Sequence, residues 1–249
     1  MTGTYVYGIV SAEHPALPDD LAGIGEPART VRTVTEGPLT AVVSEAPDGL
    51  RPKRRDLLAH QKVLADAVRG GPVLPMRFGS VAPDDKAVAE VLSERSEHWL
   101  ERLSALDGKV EYNVKAQHDE EALLHLLMAE NAEIRALTEE NRKAGGGSQE
   151  DRLRLGETVV AAVQEREARD AAELQRLLEP GAEAVAAGPG GTGGLANLSF
   201  LVDERASTPL LTAVAEVRRT RPHLELKVTG PLPPYSFVEP GPAPPAEPE

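Results

Sequence analysis

The side chains able to do chemistry in this 249-residue chain are acidic groups and histidines, with no cysteine among them. His118 and His125 lie two helical turns apart beside Asp119 and Glu121, a set that could in principle hold zinc. Polar residues at a helix start explain the same pattern, so no metal ligand is assigned. His60 sits in a helical stretch. Its expected role is a partly buried imidazole that hydrogen-bonds between elements, ahead of a catalytic or pH-sensing role. Arg77 stands between Met76 and Phe78 in an extended run, so alternation puts Arg77 on the opposite face. A structural carboxylate partner is expected for it, with contact to a binding partner as the alternative. The run Gly188 to Gly194 has no lysine and precedes a strand, so it is a loop and not a phosphate cradle. Carboxylates are too abundant for any pair to signal acid–base catalysis. No nucleophile–base spacing stands out. The sequence therefore gives no catalytic, cofactor-binding or metal residue.

Two charged segments suggest contacts instead. Arg51-Pro52-Lys53-Arg54-Arg55 is a basic knot at a helix start, where it opposes the macrodipole. A solvated helix start facing acids is expected, with docking to an acidic partner as the alternative. From Asp119 to Glu183 there are 16 acidic and 8 basic side chains, a balance of −8 out of a net charge of −13. Such a region is usually a solvated face. Its length and the central Gly145-Gly146-Gly147-Ser148 also suit a projecting helical pair.

These residues need elements to position them. Tyr5–Val10 reads as a strand. Segments 28–35 and 39–44 form a hairpin around Glu36-Gly37-Pro38. Lys53–Arg69 is helical, with Leu57, Leu58, Leu64, Ala65 and Val68 as its apolar face. Val73–Val81 is extended. A helix then runs from Pro83 to about Leu106, burying Val88, Val91, Leu92, Trp99 and Leu103. A strand at 109–117 leads into a helix that breaks at Gly145. A second helical stretch ends near Leu178. Strands follow at 182–187 and 195–203, a helix at 208–220 and a strand at 223–229. The second half thus orders as β-α-β-β-α-β, the ferredoxin-like sequence of elements, with a long, interrupted crossover. The expected fold is α+β in two domains, an N-terminal α+β domain over 1–107 and a modified ferredoxin-like domain over 108–238. A disordered Pro/Ala/Glu tail is expected over 239–249.

Gly230-Pro231-Leu232-Pro233-Pro234-Tyr235-Ser236-Phe237-Val238 closes the last domain. Three prolines stiffen it and exclude central strand or helix. The expectation is an extended strap packed on the folded body, with Tyr235 and Phe237 on one face and Ser236 on the other.

The strap resembles the C-terminal signature of the gas vesicle protein GvpL/GvpF family. Other motifs occur in the family's order. Tyr5-Val6-Tyr7-Gly8-Ile9-Val10 resembles its opening strand, and His60-Gln61 precedes Val73-Leu74-Pro75-Met76-Arg77-Phe78-Gly79, similar to its central motif. Leu198-Ser199-Phe200-Leu201-Val202 resembles a later strand. One departure is Leu232, where many relatives carry Trp. The resemblance implies the same two-domain picture and a non-enzymatic accessory or structural protein of gas vesicle assembly. It also implies binding to the small hydrophobic shell subunit and contact with other accessory proteins. His60, Arg77, Phe78, Tyr235 and Phe237 are the candidate structural or interaction residues.

Composition fits that expectation. Absence of cysteine suits a reducing, cytoplasmic setting, with the gas vesicle as the implied destination. No secretory signal or membrane span is visible, and the acidic balance disfavours nucleic acid. A ferredoxin-like ligand-binding, regulatory or enzymatic domain is the alternative, since that fold hosts many functions.

Overall fold

A computed structural model describes residues 3–188 and 194–239. It is a mixed helix-and-sheet protein with two antiparallel sheets. The chain divides into two compact units. One is Met1–Glu111 together with Pro231–Glu249, and the other is Tyr112–Gly230. The strap was expected to belong with the second half. It groups by its contacts with the first.

In the first unit, β1 (Thr4–Ser11), β2 (Arg32–Glu36), β3 (Leu39–Glu45) and the two-residue β4 (Leu74–Pro75) form a sheet ordered β2-β3-β1-β4. The short β5 (Val81–Ala82) also pairs with β1. The central strands are apolar on both faces: β1 and β3 are buried almost throughout. The β1–β3 register slips between Val6 and Gly8. A Cβ on Gly8 would stand 2.9 Å from the Leu74 carbonyl, so only glycine lets β4 approach there.

Helix α1 (Arg54–Val68) packs with this sheet through a face that shares only Leu64 with the one its apolar pattern indicated. It buries Asp56, His60, Val63, Leu64 and Ala67. Leu57, Leu58 and Val68 face solvent, Leu58 at 54 % exposure. Polar partners select the face: Asp56 accepts from the Gly25 amide at 3.0 Å, and His60 bonds Tyr5.

The single helix expected over 83–106 is two, α2 (Asp85–Glu94) and α3 (Ser96–Ala105), separated by Arg95 at φ −114°, ψ 23°. Asp84 caps α2 by accepting from the Ala87 amide. Val88, Leu92, Trp99 and Leu103 are buried as expected, whereas Val91 is 46 % exposed.

In the second unit, β6 (Lys109–His118), β7 (Ala184–Ala187), β8 (Ala196–Asp203) and β9 (Leu224–Leu232) form a sheet ordered β7-β8-β6-β9. The crossover after β6 has three helices, α4 (Glu120–Glu130), α5 (Ala132–Lys143) and α6 (Gln149–Leu178). The expected glycine break stands between α5 and α6. Gly145, Gly146 and Gly147 all have positive φ, and a reciprocal Ser148–Asp151 capping box starts α6. The break at Asn131 was not expected; its side chain accepts from the Glu133 and Ile134 amides. Leu155, Val159, Ala162 and Val163 of α6 pack on Leu123, Leu127 and Ile134. Helix α7 (Thr208–Thr220) buries Leu210, Val214 and Val217. No helix among the described residues is long and apolar enough to cross a membrane.

β9 continues through Gly230, Pro231 and Leu232. It is the edge strand of its sheet, the position that tolerates a proline. Tyr235–Phe237 then turns as a 3₁₀ helix. Strand-like alternation of Tyr235, Ser236 and Phe237 is therefore corrected. Pro234 at ψ 60° leaves the extended region and starts the turn. Glu239, placed beforehand in the tail, pairs with Arg95 at 3.0 Å. Residues 240–249 of the expected tail, and 189–193 of the glycine loop, lie outside the described residues.

Candidate functional site

The structure gathers His60, Phe78 and Tyr235 with Tyr5 and Tyr7 in the first unit. β1 supplies both tyrosines, which are fully buried at consecutive inward positions. Their rings meet edge to face with centroids 4.8 Å apart. α1 supplies His60, stacked on Tyr7 at 5.6 Å and on Tyr235 at 6.5 Å. Phe78 closes edge-on against Tyr5 and His60, both at 5.9 Å. Tyr235 brings the strap onto the same core.

The hydrogen bonds fix the proton positions. His60 Nε2 lies 3.1 Å from the Met76 carbonyl, which only accepts, so Nε2 donates. Nδ1 then accepts from the Tyr5 hydroxyl at 2.8 Å. Tyr5 in turn accepts from the Gly79 amide at 3.3 Å. Gly79 adopts φ +95°, which favours glycine at this turn. Tyr7 accepts from the Ile24 amide at 2.9 Å and shares a proton with Ser44 at 3.0 Å. Burial lowers the His60 pKa, outweighing the Met76 bond, and keeps the ring neutral. Burial also raises both core phenols and pushes Tyr235 up to about 12, with the Glu111 charge adding to the shift. Both imidazole nitrogens are used and the ring is 3 % exposed. Neither ring nitrogen is turned to solvent.

The strap is fixed on both sides of Tyr235. Ser236 donates its amide and its hydroxyl to the two oxygens of buried Glu111, at 2.8 and 2.9 Å. Arg102 on α3 donates to the Phe237 and Val238 carbonyls at 2.7 and 3.2 Å. Phe237 is buried. Arg95 stacks over Trp99 at 4.2 Å and holds both oxygens of Glu239 at 3.0 Å.

Arg77 does not join the cluster. It is exposed, and no carboxylate partner for it is found among the described residues. The basic knot meets acids as expected: Arg55 bonds Glu26 and lies 3.4 Å from Asp56. His125 is exposed beside Glu121, apart from His118, which instead reaches Asp170 at 2.9 Å. The sequence reading missed Tyr5 and Tyr7 as hydrogen-bonding partners. Their alternation with Gly8 in an otherwise apolar strand was the available signal.

The gas vesicle synthesis protein GvpL/GvpF family model matches residues 3–239. Gas vesicle protein F of Streptomyces sp. (strain CB03234) is 57 % identical over 236 residues, 95 % of this chain and 99 % of that one. Gas vesicle protein L of the same strain is 29 % identical, covering 94 % of this chain and 92 % of its own. The crystal structure of GvpF from Anabaena sp. PCC7120 has a similar fold, with TM-score 0.73 at 23 % identity over 96 % of this chain and 99 % of that one. That of GvpF from Microcystis aeruginosa gives 0.69 at 21 %, over 96 % of this chain and all of the other. A family match along almost the whole chain, from β1 to the strap, shows that this chain belongs to the GvpL/GvpF gas vesicle synthesis family.

Proposed function

We propose that the protein is a non-enzymatic accessory factor of gas vesicle assembly that binds the hydrophobic shell subunit. The observation that carries this reading is the family match from residue 3 to residue 239. The geometry agrees with it. In the first unit both nitrogens of the buried His60 are taken up by Tyr5 and the Met76 carbonyl, so that histidine has no free nitrogen to turn toward a substrate. An apolar stripe that ordinarily faces a core is open to solvent on α1, at Leu57, Leu58 and Val68. A subunit with large apolar faces aggregates unless those faces and strand edges are covered. A strongly acidic carrier with an exposed apolar helix face meets that need. The vesicle is then its site of action, with other accessory proteins as further partners. We read Tyr112–Gly230 as ferredoxin-like, supported by the strand order β7-β8-β6-β9 and the helical crossovers after β6 and β8.

The test is affinity capture of the tagged full chain from vesicle-forming cells. The shell subunit is expected in the bound fraction, and Leu58→Glu with Val68→Glu should reduce it at least tenfold while the melting curve stays unchanged. Capture without the shell subunit, also when the other accessory proteins are present, contradicts the reading.

A further inference from the structure

The second unit holds a cluster that the assembly role leaves unused. His118 ends β6, Asp170 lies on α6 and His223 leads into β9. Their side chains are nearly inaccessible, at 7 %, 1 % and 6 % exposure. Both imidazoles present Nε2 to one oxygen, Asp170 Oδ2, at 2.9 and 3.0 Å. The rings stack at 26° with centroids 5.9 Å apart, and the three donor atoms lie within 4.8 Å of one another.

Arg166 completes the cluster. Its Nε lies 2.9 Å from each Asp170 oxygen, and Nη1 reaches Glu130 at 2.8 Å. Its Nη2 stands 3.2 Å from His223 Nε2. That contact exposes a conflict. A neutral imidazole nitrogen either donates or accepts. If His223 Nε2 carries the proton, it faces a donor on Arg166. If it does not, it faces an acceptor on Asp170. Either tautomer leaves one of two buried contacts mismatched, and such mismatches are costly away from water.

We infer that His118, Asp170 and His223 form a binding site for a borderline divalent transition-metal ion such as Zn²⁺. Two imidazoles and one carboxylate are a ligand set that such ions take, with a fourth position for water. Ligand atoms around tetrahedral zinc at about 2.0–2.1 Å lie about 3.3–3.4 Å apart. The present separations to Oδ2 need only a few tenths of an ångström more. An ion accepting the His223 Nε2 lone pair turns the acceptor–acceptor contact into shared coordination. Arg166 keeps Oδ1 and Glu130, as outer partners of a ligating carboxylate do. The guanidinium is the cost of the site: its charge opposes a second cation and sets a modest affinity. Bound metal would tie together β6, α6 and the entry to β9 through residues 52 and 53 positions apart in the chain.

The test is titration of the chelator-stripped full chain with Zn²⁺ by calorimetry and with Co²⁺ by absorption spectroscopy. One ion per chain is expected, with a tetrahedral or five-coordinate cobalt spectrum and a raised melting temperature. His118→Ala and His223→Ala should each weaken Zn²⁺ at least tenfold, while His125→Ala, on the surface, should change nothing. Absence of stoichiometric binding, or binding indifferent to both His118→Ala and His223→Ala, overturns the inference.

Discussion

Each unit buries histidine, but with opposite chemistry. Around His60 every partner is neutral: a phenol, a backbone carbonyl and three aromatic rings besides the Tyr5 ring. Around Asp170 the partners are two imidazoles and a guanidinium, with Glu130 at the rim. The first site gives each His60 nitrogen one matched partner and leaves neither free to coordinate. The second is held by charge and retains a tautomeric mismatch. Burial alone therefore does not mark a functional histidine. What separates the two is whether the hydrogen-bond inventory closes.

The largest effect expected from breaking this contrast comes from the strap, which seals the neutral site. Ending the chain at Thr229 removes Tyr235 and Phe237 together with the Glu111 and Arg102 bonds. The truncated protein should lose cooperative melting of its first unit, as followed by near-ultraviolet circular dichroism. Ending it after Glu239 should leave the melt unchanged.

The charged site comes next. Asp170→Ala leaves Arg166 buried without its main counter-charge, a change that costs about 3–5 kcal/mol in comparable pairs. Chemical denaturation should show a loss of that size. Phe237→Ala should cost about 3–5 kcal/mol if the ring is packed as its burial indicates, and Tyr5→Phe about 1–3 kcal/mol by stranding His60 Nδ1 and the Gly79 amide.

The pH response is smaller and sharpens the comparison. His60 and His223 both have folded pKa values below the unfolded value of about 6.5. Between those values the unfolded chain binds more protons, so stability rises with pH there. Full stability is expected above about pH 6.5, declining as pH falls below it until the folded pKa values are passed. His60→Gln should flatten that slope without abolishing it, because His223 remains. A denaturation midpoint series from pH 7.5 to 5 checks this. The smallest effect is expected for Tyr235→Phe, below about 1 kcal/mol, since the ring stacks while its hydroxyl has no hydrogen-bond partner among the described residues.

Much of the architecture was legible in the sequence. Alternation gave the strands, and glycine and proline marked the hairpin and the α5–α6 break. Three misreadings share one cause, a local pattern overruled by side-chain hydrogen bonds. The α1 face followed Asp56 and His60 and kept Leu64, but not Leu57 or Leu58. Asn131 cut a helix by capping it internally. At the strap, Glu111 captured Ser236 where alternation alone would have left an extended segment. His60, Phe78 and Tyr235 could be singled out because they stand within the recognisable motifs, and their rings pack together. The Asp170 cluster was invisible, because its members lie on three elements with no common motif, and one abundant aspartate looks like any other.

The central claim, that this family member shields the hydrophobic shell subunit, is tested most directly by co-expression. The fraction of shell subunit remaining in the supernatant after high-speed centrifugation is measured with and without the full chain. The account predicts a several-fold increase that is lost with Leu58→Glu and Val68→Glu. An unchanged supernatant fraction, with the chain itself folded and abundant, would contradict it.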